Sequence, residues 1–146
     1  MYVAESKRLT HEGARKIVAT AIEKARAAKI MISCCVVDSG GHVVALERMD
    51  GAQYHTIHSC STKAACSSST KRKTTTKGAV GQDLDVTHAL GLTLAAGAER
   101  WTAMEGGVPI LFDGECVGGV GVSGGNWEAD AQIAEEAVEA IGAKAG

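Results

Sequence analysis

The sequence predicts an α+β fold, in which an antiparallel sheet built from two β-hairpins is covered by N-terminal and C-terminal helices. Two strand–turn–strand patterns predict the hairpins, and an amphipathic pattern near each end of the chain predicts the covering helices. The 146 residues contain no periodic repeat and no long linker, and 45% of them are hydrophobic. We therefore expect residues 1–146 to form a single domain with its own core.

The covering helices are predicted from apolar residues that recur at steps of three and four. The first helix should span residues 11–28, with Thr10 where an N-cap residue belongs. Its apolar stripe consists of Ala14, Ile17, Val18, Ala21, Ile22 and Ala25. The corresponding stripe of the closing helix consists of Ala131, Ile133, Ala134, Ala137, Val138 and Ile141. Acidic side chains occupy the other face of the closing helix, so only the stripe should be buried.

Each hairpin is predicted from its turn. In the first, the apolar run ISCCVV ends at Asp38, Ser39-Gly40-Gly41 supplies the turn, and HVVAL resumes the extended pattern. In the second, VPILF and ECVGGVGV flank Asp113-Gly114, a dipeptide that suits a type I′ turn. Between the hairpins we expect a second helix at about residues 53–72, a loop at 74–82 and a short helix at 84–98.

The charge pattern favours subunit contacts over nucleic-acid binding. The net charge is −2, and the basic stretch KRKTTTK contains no aromatic residue. Residues 59–77 carry basic side chains and no acidic ones, whereas residues 126–142 carry acidic side chains and no basic ones. Such opposed surfaces can pair between the subunits of a homo-oligomer, and a solvated face is the alternative for the basic stretch.

The cysteines and the N-terminal residues predict a cytoplasmic protein without a membrane anchor. Five cysteines form an odd set with no C-x-x-C spacing, which indicates neither a disulfide framework nor a zinc finger. The N-terminal residues lack the apolar core of a signal peptide, and no segment is long enough to span a membrane. Reduced thiols in the cytoplasm fit this pattern best.

The string GVGVSG at residues 119–124 matches the dinucleotide motif G-x-G-x-x-G, but its context does not. A Rossmann unit needs a second parallel strand after the helix, and the chain ends at Gly146. Glu128 and Asp130 in the first helical turn would also repel a pyrophosphate. We expect these glycines to let a helix or another backbone approach the strand closely.

Several segments, taken in order, resemble the GlcG/HbpS-like family of haem-binding and haem-degrading proteins. They are LTHEGARKIVATAIEKA, VVDSGGHVVALERMDGA, TIHSCSTKAAC, GGVPI and VGGVGVSGG, followed by an acidic closing helix. The C-terminal domains of PduO-type corrinoid adenosyltransferases are similar. The resemblance covers nearly the whole chain and implies a profilin-like α-β-α domain that forms homo-oligomers. It also implies haem or a related tetrapyrrole as the ligand of some members, while others are encoded among catabolic genes.

The resemblance places a candidate ligand site around the second helix. Arg48 can hold a haem propionate or a small organic acid by a two-pronged hydrogen bond. Lys63 can anchor an anion, and Cys66 or His58 can lie near the iron. Gly107, in the GGVPI segment, completes the candidate set.

A second hypothesis is a small cofactor-free enzyme that acts on an oxo or hydroxy carboxylate by tautomerisation, hydration or dehalogenation. Arg48 would hold the carboxylate, and Lys63, Asp38 or His58 would move protons. Backbone donors of GGVPI would stabilise an oxyanion. A third possibility is an oligomeric scaffold with a vestigial pocket.

Three of these residues also have a structural interpretation. Arg48 can pair with Asp50 or Asp38 at the strand end. Lys63 can extend its ammonium group to solvent, which we slightly favour over a buried position. Asp38, directly before Ser-Gly-Gly, is more typical of a turn former than of a general base.

Cys66 begins the run Cys66-Ser67-Ser68-Ser69, where relatives tend to carry Thr-Ala and then an aromatic or apolar residue. A porphyrin face prefers apolar neighbours, so this run weakens the haem hypothesis, although a thiolate can itself ligate haem iron. Basic neighbours would favour the thiolate and make Cys66 a nucleophile. A buried cysteine that acts as a small apolar residue is the more common outcome.

His55 and His58 are three residues apart and face the same way on a helix. A zinc site needs at least a third protein ligand, which would have to come from Cys60, Asp50 or another subunit. We therefore expect no dedicated metal site.

Overall fold

The computed structural model describes residues 1–146 as four helices and four strands. In chain order the elements are α1 (His11–Ala27), β1 (Ser33–Asp38), β2 (Val43–Arg48), α2 (His55–Thr70), α3 (Val86–Ala96), β3 (Gly107–Phe112), β4 (Glu115–Ser123) and α4 (Trp127–Glu139). Both predicted hairpins are present, and α1, α2 and α3 begin and end within about two residues of the predicted bounds. The predicted α+β fold is confirmed.

The two hairpins form one antiparallel sheet with the strand order β2-β1-β4-β3. They join where β1 pairs with β4, from Ser33 opposite Ser123 to Asp38 opposite Gly118. Asp113 and its neighbour Gly114 have φ angles of 48° and 79°, the left-handed backbone that a type I′ turn requires at both positions.

The sheet is covered on both faces, but the two covering layers differ in character. Helices α1 and α4 pack together on one face, where they and the sheet bury a core of 21 residues that includes Ile17, Val36 and Val138. Helix α2 covers the other face over a much smaller apolar cluster. That cluster consists of Cys35, Val37, Cys60 and Ala64. Apolar burial therefore holds α1 and α4 in place more than it holds α2.

Helix α2 lies unusually close to β3 and β4 because glycines face it. A Cβ atom added at Gly119, Gly121 or Gly107 would collide with the carbonyl oxygen of Ala64, Cys60 or Lys63, respectively. The expectation that the glycine string permits a close backbone approach is confirmed, and α2 is the backbone that approaches.

Helix α3 projects from the domain with its apolar side chains exposed. Asp85 caps its first turn by accepting a hydrogen bond from the backbone N–H of His88 at 2.8 Å. No residue of the helix is buried, and the exposed large apolar side chains are Val86, Leu90, Leu92 and Leu94. No helix of this structure combines the length and the apolar character that a membrane crossing needs.

Part of the charge asymmetry is neutralised within one chain. Nζ of Lys73, just after α2, lies 2.8 Å from Oε1 of Glu135 on α4. Nζ of Lys63 lies 3.4 Å from Oδ2 of Asp130. The expectation that these surfaces pair between subunits is wrong for these two pairs, because α4 already lies within reach of both lysines.

Replacing Gly121 with Ala should lower the free energy of unfolding by about 1–3 kcal/mol, because the added Cβ would push α2 off the sheet. Gly91→Ala in α3 is the matched control, since an added Cβ there meets nothing within 4 Å. That control should be neutral or stabilising by up to about 1 kcal/mol. Urea unfolding followed by circular dichroism measures both variants. Equal effects would contradict close packing of α2 on β4.

Candidate functional site

The inner face of α2 uses hydroxyl groups to attach the helix to the sheet. Ser67 Oγ donates to the carbonyl oxygen of Val108 at 3.0 Å, and Ser68 Oγ donates to that of Asp38 at 2.8 Å. Two residues in the unusual run after Lys63 therefore bridge α2 to β3 and β1. Their burial is compatible with their polarity because each hydroxyl has a hydrogen-bond partner.

Lys63 is buried and passes the end of β4 to reach α4. Its Nζ donates to the carbonyl oxygen of Val122 at 2.8 Å and to Oδ2 of Asp130 at 3.4 Å. The side chain is only 4% exposed, so the expectation that it extends to solvent is wrong. Gly106 leaves room for the ammonium group, because a Cβ there would lie 2.9 Å from Nζ.

Burial has the largest effect on the pKa values of both members of this ion pair. It lowers the pKa of Lys63, an effect that the charge and hydrogen bond of Asp130 oppose. Burial also raises the pKa of Asp130. Two contacts oppose this increase: the charge of Lys63, and the backbone N–H of Gly125, which donates to Oδ1 at 2.8 Å. Each buried charge is therefore stabilised by the opposite charge of its partner.

Cys66 is also turned inward, toward the segment after α3. It is 3% exposed, and its Sγ donates to the carbonyl oxygen of Thr102 at 3.6 Å. Burial raises the pKa of this thiol, against the smaller opposing effects of the Thr102 contact and the charge of Arg72. The expectation that basic neighbours favour the thiolate is wrong, because desolvation outweighs them.

The backbone of Gly107 is fully engaged with Thr74. Its N–H donates to Thr74 Oγ1 at 2.9 Å, and its carbonyl oxygen accepts from the Thr74 N–H at 3.0 Å. The Gly107 N–H is therefore not free to donate to a ligand oxyanion. The role of Gly107 that this structure does show is to let α2 approach β3.

Arg48 and His58 are the candidates that face solvent. Arg48 pairs with Ser33 across the sheet, and Ser33 Oγ lies 2.8 Å from Thr56 Oγ1 on α2. Directly paired residues point to the same face, so Arg48 lies on the α2 side of the sheet. It forms an ion pair with neither Asp38 nor Asp50, and it lines a shallow pocket of about 390 Å³.

Asp38 organises the turn of the first hairpin. Its Oδ1 accepts hydrogen bonds from the backbone N–H of Gly40 at 2.9 Å and of His42 at 3.0 Å. The same oxygen lies 3.1 Å from Nδ1 of His42. Burial alone would raise the pKa of Asp38, but these hydrogen bonds outweigh it and lower the pKa below its usual value. The interpretation of Asp38 as a turn former is confirmed.

A polar cleft of about 610 Å³ lies beside the C-terminal half of α2. Ala65, Ser68 and Ser69 of α2 form its floor, and the hairpin turn at residues 39–42 forms one wall. The opposite wall is formed by Ala96, Glu99, Arg100 and Trp101. The volume is within the usual range for small-molecule sites.

The sequence predicts no functional role for three residues of this cleft. It indicates His42 only as the start of a strand, and Arg100 and Trp101 follow the predicted short helix. The spacing Asp38-x-x-x-His42 around two glycines is the available signal, since a three-residue hairpin loop places its flanking residues opposite each other. No comparable local signal brings Arg100 to the first hairpin.

A family model described as "Haem degrading protein HbpS-like" matches residues 9–139. The chain belongs to the HbpS-like family. This HbpS-like chain is 36% identical to Protein GlcG of Escherichia coli K12 over 118 residues, which cover 79% of the chain and 81% of GlcG. The resemblance to the GlcG/HbpS-like family that the sequence segments indicate is confirmed.

Solved structures give the same family assignment. The crystal structure of Klebsiella pneumoniae protein ORFY is 29% identical, with a TM-score of 0.84 and coverage of 97% of each chain. A PduOC complex with haem is 25% identical to the HbpS-like chain, with a TM-score of 0.81. The match covers 95% of this chain and 99% of PduOC. The fold is therefore shared along almost the whole length.

Replacing Lys63 with Met should lower the free energy of unfolding by about 3–5 kcal/mol, because Asp130 would remain buried without its partner. Lys73→Met is the matched control, as it removes a partly exposed ion pair and should cost less than about 1 kcal/mol. Adding Asp130→Leu to Lys63→Met should recover part of the loss. Urea unfolding distinguishes these cases, and equally small losses for both lysines would contradict the buried pair.

Proposed function

We propose that this HbpS-like chain is a self-associating domain that binds haem or a related tetrapyrrole. The observation that carries the proposal is the similarity to PduOC in complex with haem, which extends over 95% of this chain. The family description, haem degrading protein, supports the same ligand class. Five free cysteines suit a reducing compartment, so the proposal includes the cytoplasm, and it treats residues 1–146 as one domain.

We assign the iron contact to His58 and a propionate contact to Arg48. Both side chains are exposed, and Arg48 lies on the side of the sheet that α2 covers. A neutral imidazole nitrogen can ligate iron, and a guanidinium without an ion-pair partner can bind a carboxylate at two points. Lys63, Cys66 and Gly107 remain predictions as ligand contacts, but each makes internal hydrogen bonds.

The enzyme hypothesis receives less support from the arrangement. Lys63 is held by Asp130 and a backbone carbonyl, and Asp38 already accepts hydrogen bonds within its turn. Proton transfer by these two groups would require them to leave these partners. The binding function requires no such change.

Helix α3 is the surface that we assign to self-association. Residues 86–96 contain no Asp, Glu, Lys or Arg, so two copies can approach without repulsion or charge desolvation. Leu90 and Leu94 lie one turn apart and form an exposed apolar ridge. The ridges of two copies can pack against each other, which suits a two-fold contact between identical chains.

Haemin titration tests the ligand. The wild-type protein should give a saturable Soret shift, and His58→Ala should weaken apparent binding by about tenfold or more, because the iron loses its protein ligand. His11→Ala is the matched control, since it removes another exposed imidazole, on the opposite face of the sheet. Nonsaturable absorbance, or equal binding by all three proteins, would contradict the proposal.

Sedimentation velocity tests the contact between chains. Wild type should sediment as a dimer or larger assembly, and Leu90→Glu with Leu94→Glu should yield monomers, because burying two carboxylates is strongly unfavourable. Trp127→Glu replaces an exposed apolar residue on α4 and should leave the assembly intact. A monomeric wild type, or a double variant that still assembles, would show that α3 does not join two copies.

A further inference from the structure

The polar cleft is lined by His42, an exposed histidine whose ring contacts the side chain of Asp38. Nδ1 of His42 is 3.1 Å from Oδ1 of Asp38, an oxygen that also accepts two backbone N–H groups. An ionised carboxylate only accepts hydrogen bonds, so Nδ1 must carry the proton in this contact. In the neutral ring, Nε2 is then left with its lone pair and acts as an acceptor.

The turn that carries His42 is held in one position. A Cβ atom at Gly40 would lie 2.8–2.9 Å from two ring atoms of His42, so glycine gives the ring space to lie beside Asp38. Ser68 Oγ donates to the Asp38 carbonyl oxygen at 2.8 Å and ties the turn to the floor of the cleft. Asp38 therefore contacts the imidazole through its carboxylate and Ser68 through its backbone carbonyl.

The opposite wall supplies one cation and one anion. Nε of Arg100 is 3.8 Å from Oε1 of Glu99, and both side chains are well exposed. The Arg100 side chain has no other polar contact in the chain, so its terminal N–H groups are free to bind a carboxylate. Glu99 opposes a second negative charge, and therefore the cleft favours a ligand with a single carboxylate.

We propose that this cleft binds a small monocarboxylate bearing a hydroxyl group, with the carboxylate on Arg100 and the hydroxyl donating to Nε2 of His42. Trp101 and Ala65 also line the cleft and offer apolar surface to the carbon skeleton between these two groups. The site is separate from the haem contacts assigned to His58 and Arg48, and it does not depend on them.

The acceptor role of Nε2 separates two closely related ligand classes. A hydroxyl can donate a hydrogen bond to this nitrogen, whereas the oxygen of an oxo group can only accept one. An oxo acid would therefore place two acceptors against each other. The cleft should prefer a hydroxy acid to the oxo acid of the same carbon skeleton.

Isothermal titration with lactate and pyruvate tests this preference at neutral pH. Lactate should bind about three- to tenfold more tightly than pyruvate, the ratio expected for one net hydrogen bond. Gly40→Ala should reduce that ratio toward one by displacing the ring, and Arg100→Gln should weaken both ligands. Arg15→Gln is the matched control, since it removes one exposed arginine from α1 on the other face of the sheet.

The outcomes separate clearly. A lactate preference that is lost in Gly40→Ala, together with normal binding by Arg15→Gln, supports the site. Equal affinity for lactate and pyruvate, no heat with either acid, or binding that survives Arg100→Gln would overturn it. Haemin binding by Arg100→Gln should match wild type, so failure of this proposal and failure of the haem proposal are distinguishable.

Discussion

The backbone of α2 lies directly against β4, and most of the domain's polar architecture depends on that contact. Gly119 and Gly121 present no side chain to the helix, so carbonyl groups of α2 occupy the space that Cβ atoms would fill. At this separation a serine side chain is long enough to connect two layers, as Ser67 does when it bonds the Val108 carbonyl. A larger residue in β4 would move α2 outward and leave these hydroxyls buried without hydrogen-bond partners. A buried hydroxyl without a partner costs more stability than an apolar group of the same shape would.

The same closeness explains why a lysine is buried in a helix with so small an apolar core. Lys63 has only to pass the end of β4 to reach Asp130 on the far side of the sheet. A buried ion pair adds little net stability, because desolvation of both charges offsets their attraction. We infer that its contribution is positional: it fixes α4 relative to α2, two elements that otherwise lie on opposite faces of the sheet.

The sequence predicts well what depends on local pattern and poorly what depends on distant partners. Helices α1 and α4 bury the apolar stripes that the sequence predicts, although α4 also buries Asp130, and Asp113-Gly114 defines its turn without outside help. Helix α2 has Ser, Thr and Cys around its circumference, so no stripe shows which face turns inward. The direction of Lys63 is set by groups 59 and 67 residues further along the chain, and a pattern read from neighbours cannot contain them. The Asp38–His42 pair differs from Lys63, because its two residues are close in sequence and their spacing predicts the contact. Only the position of this pair beside a cleft could not be predicted without the fold.

The surfaces proposed for assembly and for the small acid meet at one residue. Ala96 ends α3 and also lines the cleft, so a second chain packed on α3 would lie beside the cleft opening. A ligand whose affinity differs between the free and the assembled chain must then shift assembly by the same factor, because the coupling between two equilibria is reciprocal. The apolar surface proposed for assembly and the polar cleft proposed for the small acid are therefore adjacent parts of one segment, which comprises α3 and the residues that follow it.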